Sequence, residues 1–551
     1  MLFILGTAVF VVLATGPRGA TSTPTPTNDT SLGTSAPTST TTGGASPSPT
    51  FTGQPTATAS GGSTPTPSAT PTGEPTPTPT APIGLVEVEM PFVPVIGFWD
   101  QTPSVSLGQL THALEGGGSR WARVMVPADD RDDIAAALGI TLDGGIESGD
   151  PEAIRDAVND GALGLLRAAD VTATVHALGI GDARLFGVER MRDLAAWPLT
   201  IRVKDTADRA WDQSRTWTMI AGGDMILDRG PYERIVNRGL GQDYVFDGGT
   251  AEVTGRHCCG SFTGYGEFDV PEYRKTGHRG LMRDYLKSAD LTIANLENPT
   301  PDDWIFHVEG TPFSGKPELL QIFTDAGFDF VSIANNHMAD YGASGIKDTR
   351  RHLPEYGLKF AGAGRDIEEA AEYEILEVNG TRLAILPCVA VVPSEWADGN
   401  RAGSMPCTDE RFVPNITRAA TEADFVIVFP HWGIEYTFEP IRSQRRLAAD
   451  FMSAGADLIL GAHPHVTQAV EAIDGKLVFY SMGNFVFDQD WAEITMEGLL
   501  VEATFQGGTL IQTGLRPTLI HDMAQPNLLD PVGSGEIVLD RMRDASLGLF
   551  P

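Results

Sequence analysis

Six side chains that can bind a metal ion follow apolar segments of the sequence. They are Asp224, Glu297, Asn336, His431, His463 and His465. His463 and His465 flank Pro464, and an extended His-x-His places both imidazoles on one side of the chain, because side chains alternate. His431 follows a strongly apolar segment, where a neutral imidazole can be held ready for a cation. The pattern therefore predicts one centre on which these side chains converge.

The chemistry of these side chains favours a divalent transition metal. Imidazole nitrogens combined with carboxylate and amide oxygens suit Zn²⁺, Mn²⁺ or Fe, whereas Ca²⁺ prefers oxygen ligands alone. Each residue by itself has an ordinary alternative, such as a helix cap for Asp224 or turn chemistry for the pair Asn335-Asn336. These ordinary alternatives do not easily explain why five separate clusters each lie at the end of an apolar segment. We therefore predict a metal site.

Alternating apolar and amphipathic segments predict the elements that position this site. Each polar cluster directly follows a predicted strand. These strands are residues 216–221, 291–294, 328–334, 425–429 and 458–460. Amphipathic helices are predicted at 317–326, which Gly327 can cap, and at 442–454. This alternation predicts an α/β domain with much parallel pairing, and such sheets bind ligands beyond the carboxyl ends of their strands.

The length of 551 residues predicts two or more domains. Residues 83–212 mix short strand-like and helical segments, which predicts a small α/β domain without a chemical motif. Residues 216–525 carry the candidate site, and residues 526–551 are assigned to a C-terminal tail.

The first 82 residues predict export. Residues 1–19 begin with an apolar segment too short to span a membrane easily, which is typical of a signal peptide or an N-terminal anchor. Residues 20–82 contain 13 Pro, 21 Thr and 9 Ser, a composition that offers too little apolar surface to fold and predicts a disordered linker. The expected location is extracellular or at the cell envelope, either secreted or anchored at the N-terminus.

The charge of the chain excludes one class of partner. The chain carries 39 basic and 72 acidic residues, a net charge of −33. Residues 1–82 hold one basic and two acidic residues, so the remaining 469 residues carry 38 basic and 70 acidic ones, a net of −32. Such acidity argues against a nucleic-acid partner, which requires a basic face. It also means that an anionic polymer would have to be attracted by bound cations or by a locally basic cleft.

The four cysteines are too few for a disulfide scaffold. Cys388 and Cys407 are close enough in sequence to close a short loop, and Cys258 and Cys259 are adjacent. The spacing does not match a zinc knuckle, and the pairing stays open.

Six short motifs follow one another between residues 216 and 490. They are Gly223-Asp224, Asn295-Leu296-Glu297, Ala334-Asn335-Asn336-His337, His431-Trp432-Gly433-Ile434-Glu435, Gly461-Ala462-His463-Pro464-His465 and Gly483-Asn484-Phe485-Val486-Phe487-Asp488-Gln489. Together they resemble the CapA family, bacterial surface proteins linked to capsule and poly-γ-glutamate synthesis. The resemblance covers about half of the chain and does not extend to the linker or to residues 83–212.

The CapA family in turn resembles the calcineurin-like metallophosphoesterases, which implies an α/β fold in which two sheets pack as an αββα sandwich. The resemblance implies metal-ligand roles for the six side chains named first. It also implies that His337 acts as the catalytic acid and that Asp340 orients it. The chain departs from the phosphoesterase pattern in one place. Where that pattern has Asp-x-His, this chain has Asp224-Met225-Ile226, so one imidazole ligand of the first metal is missing. The resemblance then implies either one good and one weak metal site or a site for a single ion.

The resemblance implies an exported protein of capsule or poly-γ-glutamate biosynthesis with a metal-dependent, hydrolase-like site. Its substrate would be a phosphate ester or an anionic polymer, and its partners would be membrane components of capsule synthesis. The alternative is a non-catalytic cell-surface protein that binds or exports an anionic polymer on a retained metallophosphatase scaffold. The missing imidazole favours that alternative.

Overall fold

The computed structural model describes residues 84–118, 120–262 and 266–550. The predicted signal peptide or anchor at 1–19 and the predicted linker at 20–82 lie outside these residues. Within the described ranges, no helix combines the length and the apolarity needed to cross a membrane.

The N-terminal part of the described chain is a small α/β layer. Its strands are β1 (Val86–Gly97), β2 (Ser104–Val105), β3 (Val124–Pro127), β4 (Glu147–Gly149), β5 (Leu163–Arg167), β6 (Val175–Ala177), β7 (Gly179–Ile180) and β8 (Thr200–Asp205). Its helices are α1 (Leu107–Leu114), α2 (Arg131–Leu138) and α3 (Pro151–Asn159). Strands β4, β3, β5, β1 and β6 lie side by side, and β8 pairs with the first half of β1. Helix α3 begins at the N-cap Asp150 and has Pro151 in its first turn, a common helix start.

The C-terminal part contains two larger sheets and the helices that cover them. Its strands are β9 (Thr216–Met225), β10 (Thr250–Phe262), β11 (Gly266–Thr276), β12 (Leu291–Leu296), β13 (Phe330–Ser332), β14 (Lys359–Ala361), β15 (Ala363–Gly364), β16 (Glu374–Val378), β17 (Thr381–Val389), β18 (Gly403–Ser404), β19 (Phe425–His431), β20 (Leu458–Leu460), β21 (Val470–Ile473), β22 (Lys476–Phe479), β23 (Asn484–Val486), β24 (Glu497–Gln506), β25 (Thr509–His521) and β26 (Gln525–Leu529). Its helices are α4 (Arg229–Tyr232), α5 (Leu281–Ser288), α6 (Gln321–Ala326), α7 (Gly342–Glu355), α8 (Ile367–Ala370), α9 (Phe412–Glu422), α10 (Arg442–Ala454), α11 (Glu493–Met496) and α12 (Glu536–Ala545).

These two sheets pack face to face. One has ten strands, in the order β11-β10-β26-β25-β24-β9-β12-β13-β14, with β23 pairing with β9. The other has six strands, in the order β16-β17-β19-β20-β22-β21. Side chains of both sheets share one apolar core, in which Trp217 and Ile293 of the first sheet meet Ile427 and Leu460 of the second. Burial of this shared core is the main force that holds the sheets together.

Helices cover the outer faces of the two sheets. Helices α5, α6 and α7 pack on the outer face of the ten-stranded sheet through Leu286, Phe323 and Ile346. Helices α9 and α10 pack on the outer face of the six-stranded sheet through Ile416 and Phe451. The predicted α/β fold, an αββα sandwich, is therefore confirmed.

Most of the predicted strands and helices occur with shifted ends. Helix α10 and strand β20 have the predicted bounds, whereas β9 is longer and β13 shorter than predicted. Strand β13 is short because only Phe330 to Ser332 pair with its neighbours β12 and β14. Residues 526–551, assigned to a tail, contribute most of β26 and all of α12, which packs on the shared core through Val538.

Cys388 and Cys407, whose pairing was left open, form a disulfide.

Candidate metal centre

Both large sheets bring carboxyl ends of parallel strands to one edge, and the six predicted ligands gather there. The ten-stranded sheet supplies oxygen ligands, with Asp224 at the end of β9, Glu297 just beyond β12 and Asn336 beyond β13. The six-stranded sheet supplies imidazoles, with His431 at the end of β19 and two more beyond β20. The centre therefore lies across the junction of the two sheets.

The ligand atoms lie close enough to share an ion. Three sets of ligand atoms lie within 4.8 Å of one another. The sets are Glu297 with His431 and His463, Asp224 with Glu297 and His465, and Glu435 with His463 and His465. Glu435 was quoted within a sequence motif but was not predicted as a ligand. Because the sets share members, the geometry can serve one ion or two neighbouring ions.

Asp224 is completely buried and held by its neighbours. Its Oδ1 accepts a hydrogen bond from Asn295 Nδ2 at 2.8 Å, and its Oδ2 accepts one from the backbone N–H of His463 at 3.1 Å. Burial acts to raise the pKa of Asp224, but the hydrogen bond with His465 and the charges of His431 and His465 outweigh it. The resulting pKa is lower than usual, so the carboxylate stays ionised and available to a cation.

His431 lies between the oxygen ligands of the other sheet. Its Nε2 is 2.7 Å from Asn336 Oδ1 and 3.4 Å from Glu297 Oε1. Its Nδ1 is 3.9 Å from Asp224 Oδ1. This places an imidazole, an amide and two carboxylates around one point, a donor set that suits a divalent transition metal.

The loop after β20 holds His463 and His465 in a strained backbone conformation. The expectation of an extended His-x-His is wrong, because φ is +97° at His463 and +57° at His465. Left-handed conformations are unfavourable for residues other than glycine, and such strain concentrates at functional sites. The two rings converge because of this turn, with centroids 6.0 Å apart. Gly461 allows the turn, since a Cβ there would lie 2.1 Å from the carbonyl oxygen of Tyr480.

A neighbouring amide fixes the orientation of the His465 ring. Nδ1 of His465 lies 2.9 Å from Asn484 Oδ1, and this amide oxygen accepts the Nδ1 proton. The Nε2 atom then lies on the side of Glu297 Oε1, 3.8 Å away. A hydrogen bond at one ring nitrogen commonly orients a histidine that binds metal through the other.

Burial and neighbouring charges shift the pKa values of the two histidines of this loop in opposite directions. Burial, together with the neighbouring imidazoles His431, His465 and His337, lowers the pKa of His463 well below its ordinary value. Burial also acts to lower the pKa of His465, but the charges of Glu297 and Asp224 outweigh it and raise that pKa to about 9. His463 is therefore neutral at neutral pH, the form in which imidazole binds a metal.

Two groups at the centre are buried without a hydrogen bond. Both carboxylate oxygens of Glu297 and the Nδ1 of His463 have no hydrogen-bond partner among the described residues. Buried polar groups are rarely left in this state, and an ionised carboxylate least of all. A divalent cation between these atoms would satisfy all of them, so the residues present fit the metal that the fold family implies.

His337 and Asp340 form a separate pair at the edge of the centre. The His337 Nδ1–H donates to Asp340 Oδ2 at 2.9 Å, and the backbone N–H of Phe313 donates to the same oxygen at 2.7 Å. The ring of Phe313 lies 4.1 Å from that of His337. The His337 side chain keeps 16% of its surface exposed, whereas the His431 side chain keeps 1%. The geometry leaves the His337 Nε2 free to contact a bound molecule.

The segment before Phe313 is fastened beside this pair by Asp228. Asp228 is fully buried and accepts hydrogen bonds from the backbone N–H and the ring of His307 and from the backbone N–H of Ser314 at 2.8 Å. Arg229 lies 4.5 Å from the Phe313 ring centroid and donates to the carbonyl oxygen of Gly310. Sequence motifs gave no signal for this arrangement, because His307 and Ser314 occur in a segment without regular periodicity.

The structure explains what occupies the position of the missing imidazole. Met225 and Ile226 are both completely buried. Ile226 packs in a small apolar cluster with Phe313, Phe487 and Ile520.

Asn295, which contacts Asp224, and Asn484, which contacts His465, were not predicted as site residues, although both belong to the quoted motifs.

Comparison with known proteins identifies the family. The family model described as bacterial capsule synthesis protein PGA_cap matches residues 218–489. The PGA biosynthesis protein CapA of Bacillus subtilis (strain 168) is 33% identical over 271 residues, which are 47% of this chain and 70% of that protein. This chain belongs to the PGA_cap family. The resemblance to CapA proteins seen in the sequence motifs is thereby confirmed.

Other relatives extend this comparison. The capsule biosynthesis protein CapA of Bacillus anthracis is 33% identical over 309 residues, which are 54% of this chain and 66% of that protein. The chain thus spans about two thirds of the length of these relatives. Among solved structures, a 5'-nucleotidase precursor from Thermus thermophilus is 13% identical, covers 60% of this chain and 59% of that chain, and has a TM-score of 0.30. That likeness is too low to support a statement about activity.

Proposed function

We propose that this chain is an exported accessory protein of capsule or poly-γ-glutamate synthesis with a metal-dependent hydrolase site. Membership of the PGA_cap family supports the biosynthetic context. The observation that carries the proposed chemistry is the carboxylate of Glu297, which is buried without a hydrogen bond beside the imidazoles of His431 and His465. Export is supported by the apolar start of the sequence and the Thr/Pro-rich segment that follows it.

The candidate ligands form two buried sets that share Glu297. One set is Glu297, His431 and His463, and the other is Glu297, Asp224 and His465. The mixed nitrogen and oxygen donors favour Mn²⁺, Zn²⁺ or Fe. When bound, such a cation supplies Lewis-acid chemistry by polarising a substrate oxygen and lowering the pKa of a water molecule.

The residues of the chain itself then move the proton. Asp340 accepts the Nδ1–H of His337 and thereby directs the Nε2 atom outward; when the ring is doubly protonated, Nε2 carries the proton that can be transferred to a leaving oxygen. Phe313 packs on the His337 ring and limits its rotation. His337 is the proposed acid and Asp340 its positioning residue, and the substrate is a phosphate ester or an anionic polymer of the γ-glutamyl type.

The first experiment measures bound metal. Purified protein is loaded with Mn²⁺, dialysed and analysed by mass spectrometry of the metal, for the wild type, Glu297→Gln and His463→Ala. We expect one or two ions per chain in the wild type and fewer in both variants. The control is His352→Ala, which removes a buried histidine that hydrogen-bonds to the carbonyl oxygen of Thr300 and belongs to none of the groups of candidate ligands. Wild-type protein without bound metal would contradict the proposal.

A second candidate function is a non-catalytic surface protein that binds an anionic polymer. The observation that favours it is Ile226, an apolar side chain at the position where phosphoesterases have an imidazole. A measurement of catalytic turnover distinguishes the two functions. We expect wild-type protein to hydrolyse a generic aryl phosphate or to shorten poly-γ-glutamate, and His337→Asn to lower kcat at least tenfold while still binding metal. Polymer binding without any turnover in the metal-loaded wild type would decide for the second function.

A further inference from the structure

A second cavity lies away from the metal centre, between the N-terminal layer and the outer face of the ten-stranded sheet. Its volume is about 660 Å³, within the range of sites for small organic molecules. None of the candidate metal ligands lines it. Hydrogen bonds join the two parts around it, including those from Ala177 N–H to Gln512 Oε1 at 3.0 Å and from Gly187 N–H to Thr504 Oγ1 at 2.9 Å. The cavity is therefore enclosed by parts of the molecule that are fixed to each other.

The inner end of this cavity carries a guanidinium with unused donors. Glu502 keeps only 2% of its side-chain surface exposed, and it accepts hydrogen bonds from Tyr285 OH at 2.6 Å and from Arg516 Nε at 3.4 Å. Arg516 also donates through Nη2 to Glu502, at 3.5 Å. In the part of the chain that the structure describes, Nη1 of Arg516 makes no hydrogen bond, and 31% of the Arg516 side chain is accessible. The Glu502 carboxylate balances the charge of Arg516, and the Tyr285 hydroxyl also contacts the guanidinium, which leaves the edge at Nη1 free.

Apolar side chains form the walls. Val93, Leu178, Leu185 and Phe186 are buried and line the cavity. His176 also lines it, and its Nε2 bonds to the carbonyl oxygen of Thr102. The walls therefore offer an apolar surface to a bound molecule.

The exposed Asp and Glu residues of the lining outnumber its exposed basic residues. Glu189, Asp284 and Asp530 are exposed and line the cavity, which places them at its opening. Two basic or titratable groups accompany them. Arg184 is half-buried and donates its Nη1 to the carbonyl oxygens of its own loop, and His278 lies 3.7 Å from Asp284. The opening therefore carries more acidic than basic charge, whereas the free guanidinium edge lies inside.

We propose that this cavity binds a small amino carboxylate whose carboxylate and amine are separated by an apolar chain. The carboxylate binds the free edge of the Arg516 guanidinium through a charge-assisted hydrogen bond. The apolar chain lies along the walls, and the amine stays at the acidic opening. A simple anion would be repelled by the acidic opening, and a simple amine would leave the free edge of the guanidinium without an acceptor.

The experiment uses 8-aminooctanoate as the probe and compares it with octanoate and octylamine, which share its apolar chain. Isothermal titration calorimetry on the full chain is expected to show that the amino carboxylate binds at least tenfold more tightly than either comparison molecule. Arg516→Gln is expected to weaken its binding tenfold or more. The matched control is Arg541→Gln, because Arg541 also pairs with a buried glutamate, Glu497, but does not line the cavity.

A second variant tests the site without removing a buried charge. Ser288 is exposed at the end of α5 and lines the cavity, so Ser288→Trp places bulk there while the core stays intact. We expect it to weaken binding of 8-aminooctanoate at least tenfold. Equal affinity for the three probes, unchanged affinity in both Arg516→Gln and Ser288→Trp, or an equal loss in Arg541→Gln would overturn the proposal. Binding is expected to be the same with and without a metal chelator, which separates this result from the outcome of the metal experiment.

Discussion

At the scale of single residues, Glu297 shows most directly what the centre requires. Both of its carboxylate oxygens are buried without a hydrogen bond, although histidine nitrogens lie 3.4 Å and 3.8 Å from Oε1. A buried charge of this kind is unfavourable unless a partner compensates it. The metal-loaded form should therefore be considerably more stable than the metal-free form.

Glu297→Gln should remove most of the stabilisation that metal gives. An ion at 100 times its Kd stabilises a protein by about 2.7 kcal/mol, and a 100-fold loss of affinity reduces that gain to about 0.4 kcal/mol. Differential scanning calorimetry with Mn²⁺ and with a chelator measures both values. Glu497→Gln is the control, since Glu497 is equally buried but pairs with Arg541. The Glu497→Gln variant should keep the full increase in stability that metal gives. A similar loss of that increase in both variants would contradict the role of Glu297.

His176 should make the protein less stable in mild acid. Burial and the nearby charge of Arg516 lower the pKa of His176 to about 4, while the hydrogen bond to Thr102 and the charges of Asp100 and Glu502 act in the other direction. Because the unfolded chain takes up this proton near pH 6.5, stability should fall as the pH drops from 6.5 to 4, by about 3 kcal/mol. His176→Gln should flatten this part of the curve of unfolding free energy against pH, measured by urea denaturation. An unchanged slope would show that other groups are responsible.

The residue types of the centre could be predicted from sequence, but the backbone that brings them together could not. His463 and His465 were predicted to converge through an extended chain, and they converge through a left-handed turn instead. That turn depends on the close approach of Gly461 to Tyr480, a contact between residues far apart in the sequence. Asn484 was not predicted to orient His465, since nothing local marks an asparagine as the partner of a particular ring.

At the scale of elements, the helices and strands with a clear local pattern were predictable. Helix α10 was predicted with its observed bounds, because its apolar side is periodic and Gly455 ends it in a left-handed conformation. Strands β24 and β25 were not predicted. Val501 to Gln506 alternate apolar and polar residues as a strand does, but the polar ones are mostly buried, and Glu502 lines the cavity below the N-terminal layer.

The irregular segment that carries His307 and Phe313 should depend on Asp228. Asp228→Asn removes the charge that accepts hydrogen bonds from His307 and Ser314, and bonds to a charged group contribute about 1.5–3 kcal/mol. Hydrogen exchange measured by mass spectrometry should become at least tenfold faster across residues 305–314. Asp243→Asn, which changes an exposed carboxylate paired with Arg283, should leave this exchange unchanged. Unchanged exchange in Asp228→Asn would show that other contacts hold the segment.

At the scale of the whole molecule, the net charge of −33 is in tension with an anionic substrate. Like charges slow the approach of a polyanion, and salt screens that repulsion over about 10 Å at 0.1 M ionic strength. The candidate cation at the centre provides local attraction, while the surface as a whole opposes it.

Binding of poly-γ-glutamate should therefore strengthen with salt, the reverse of ordinary electrostatic binding. Raising NaCl from 15 mM to 150 mM should increase the association rate about tenfold, as measured by biolayer interferometry on metal-loaded protein. A neutral polysaccharide of similar length is the control and should show no such dependence. A rate that falls with salt would mean that local positive charge, from the metal or from basic side chains, outweighs the repulsion by the net charge.

The division of the ligands between the two sheets has a consequence for how the protein matures. Oxygen donors come from residues 224 to 336 and imidazoles from residues 431 to 465, so a nascent chain holds the complete set only after residue 465 has been synthesised. An ion can then be captured only after both sheets have docked. If the chain is exported before it folds, the compartment in which folding ends decides which metal is incorporated, because such donor sets accept several ions and local supply selects among them.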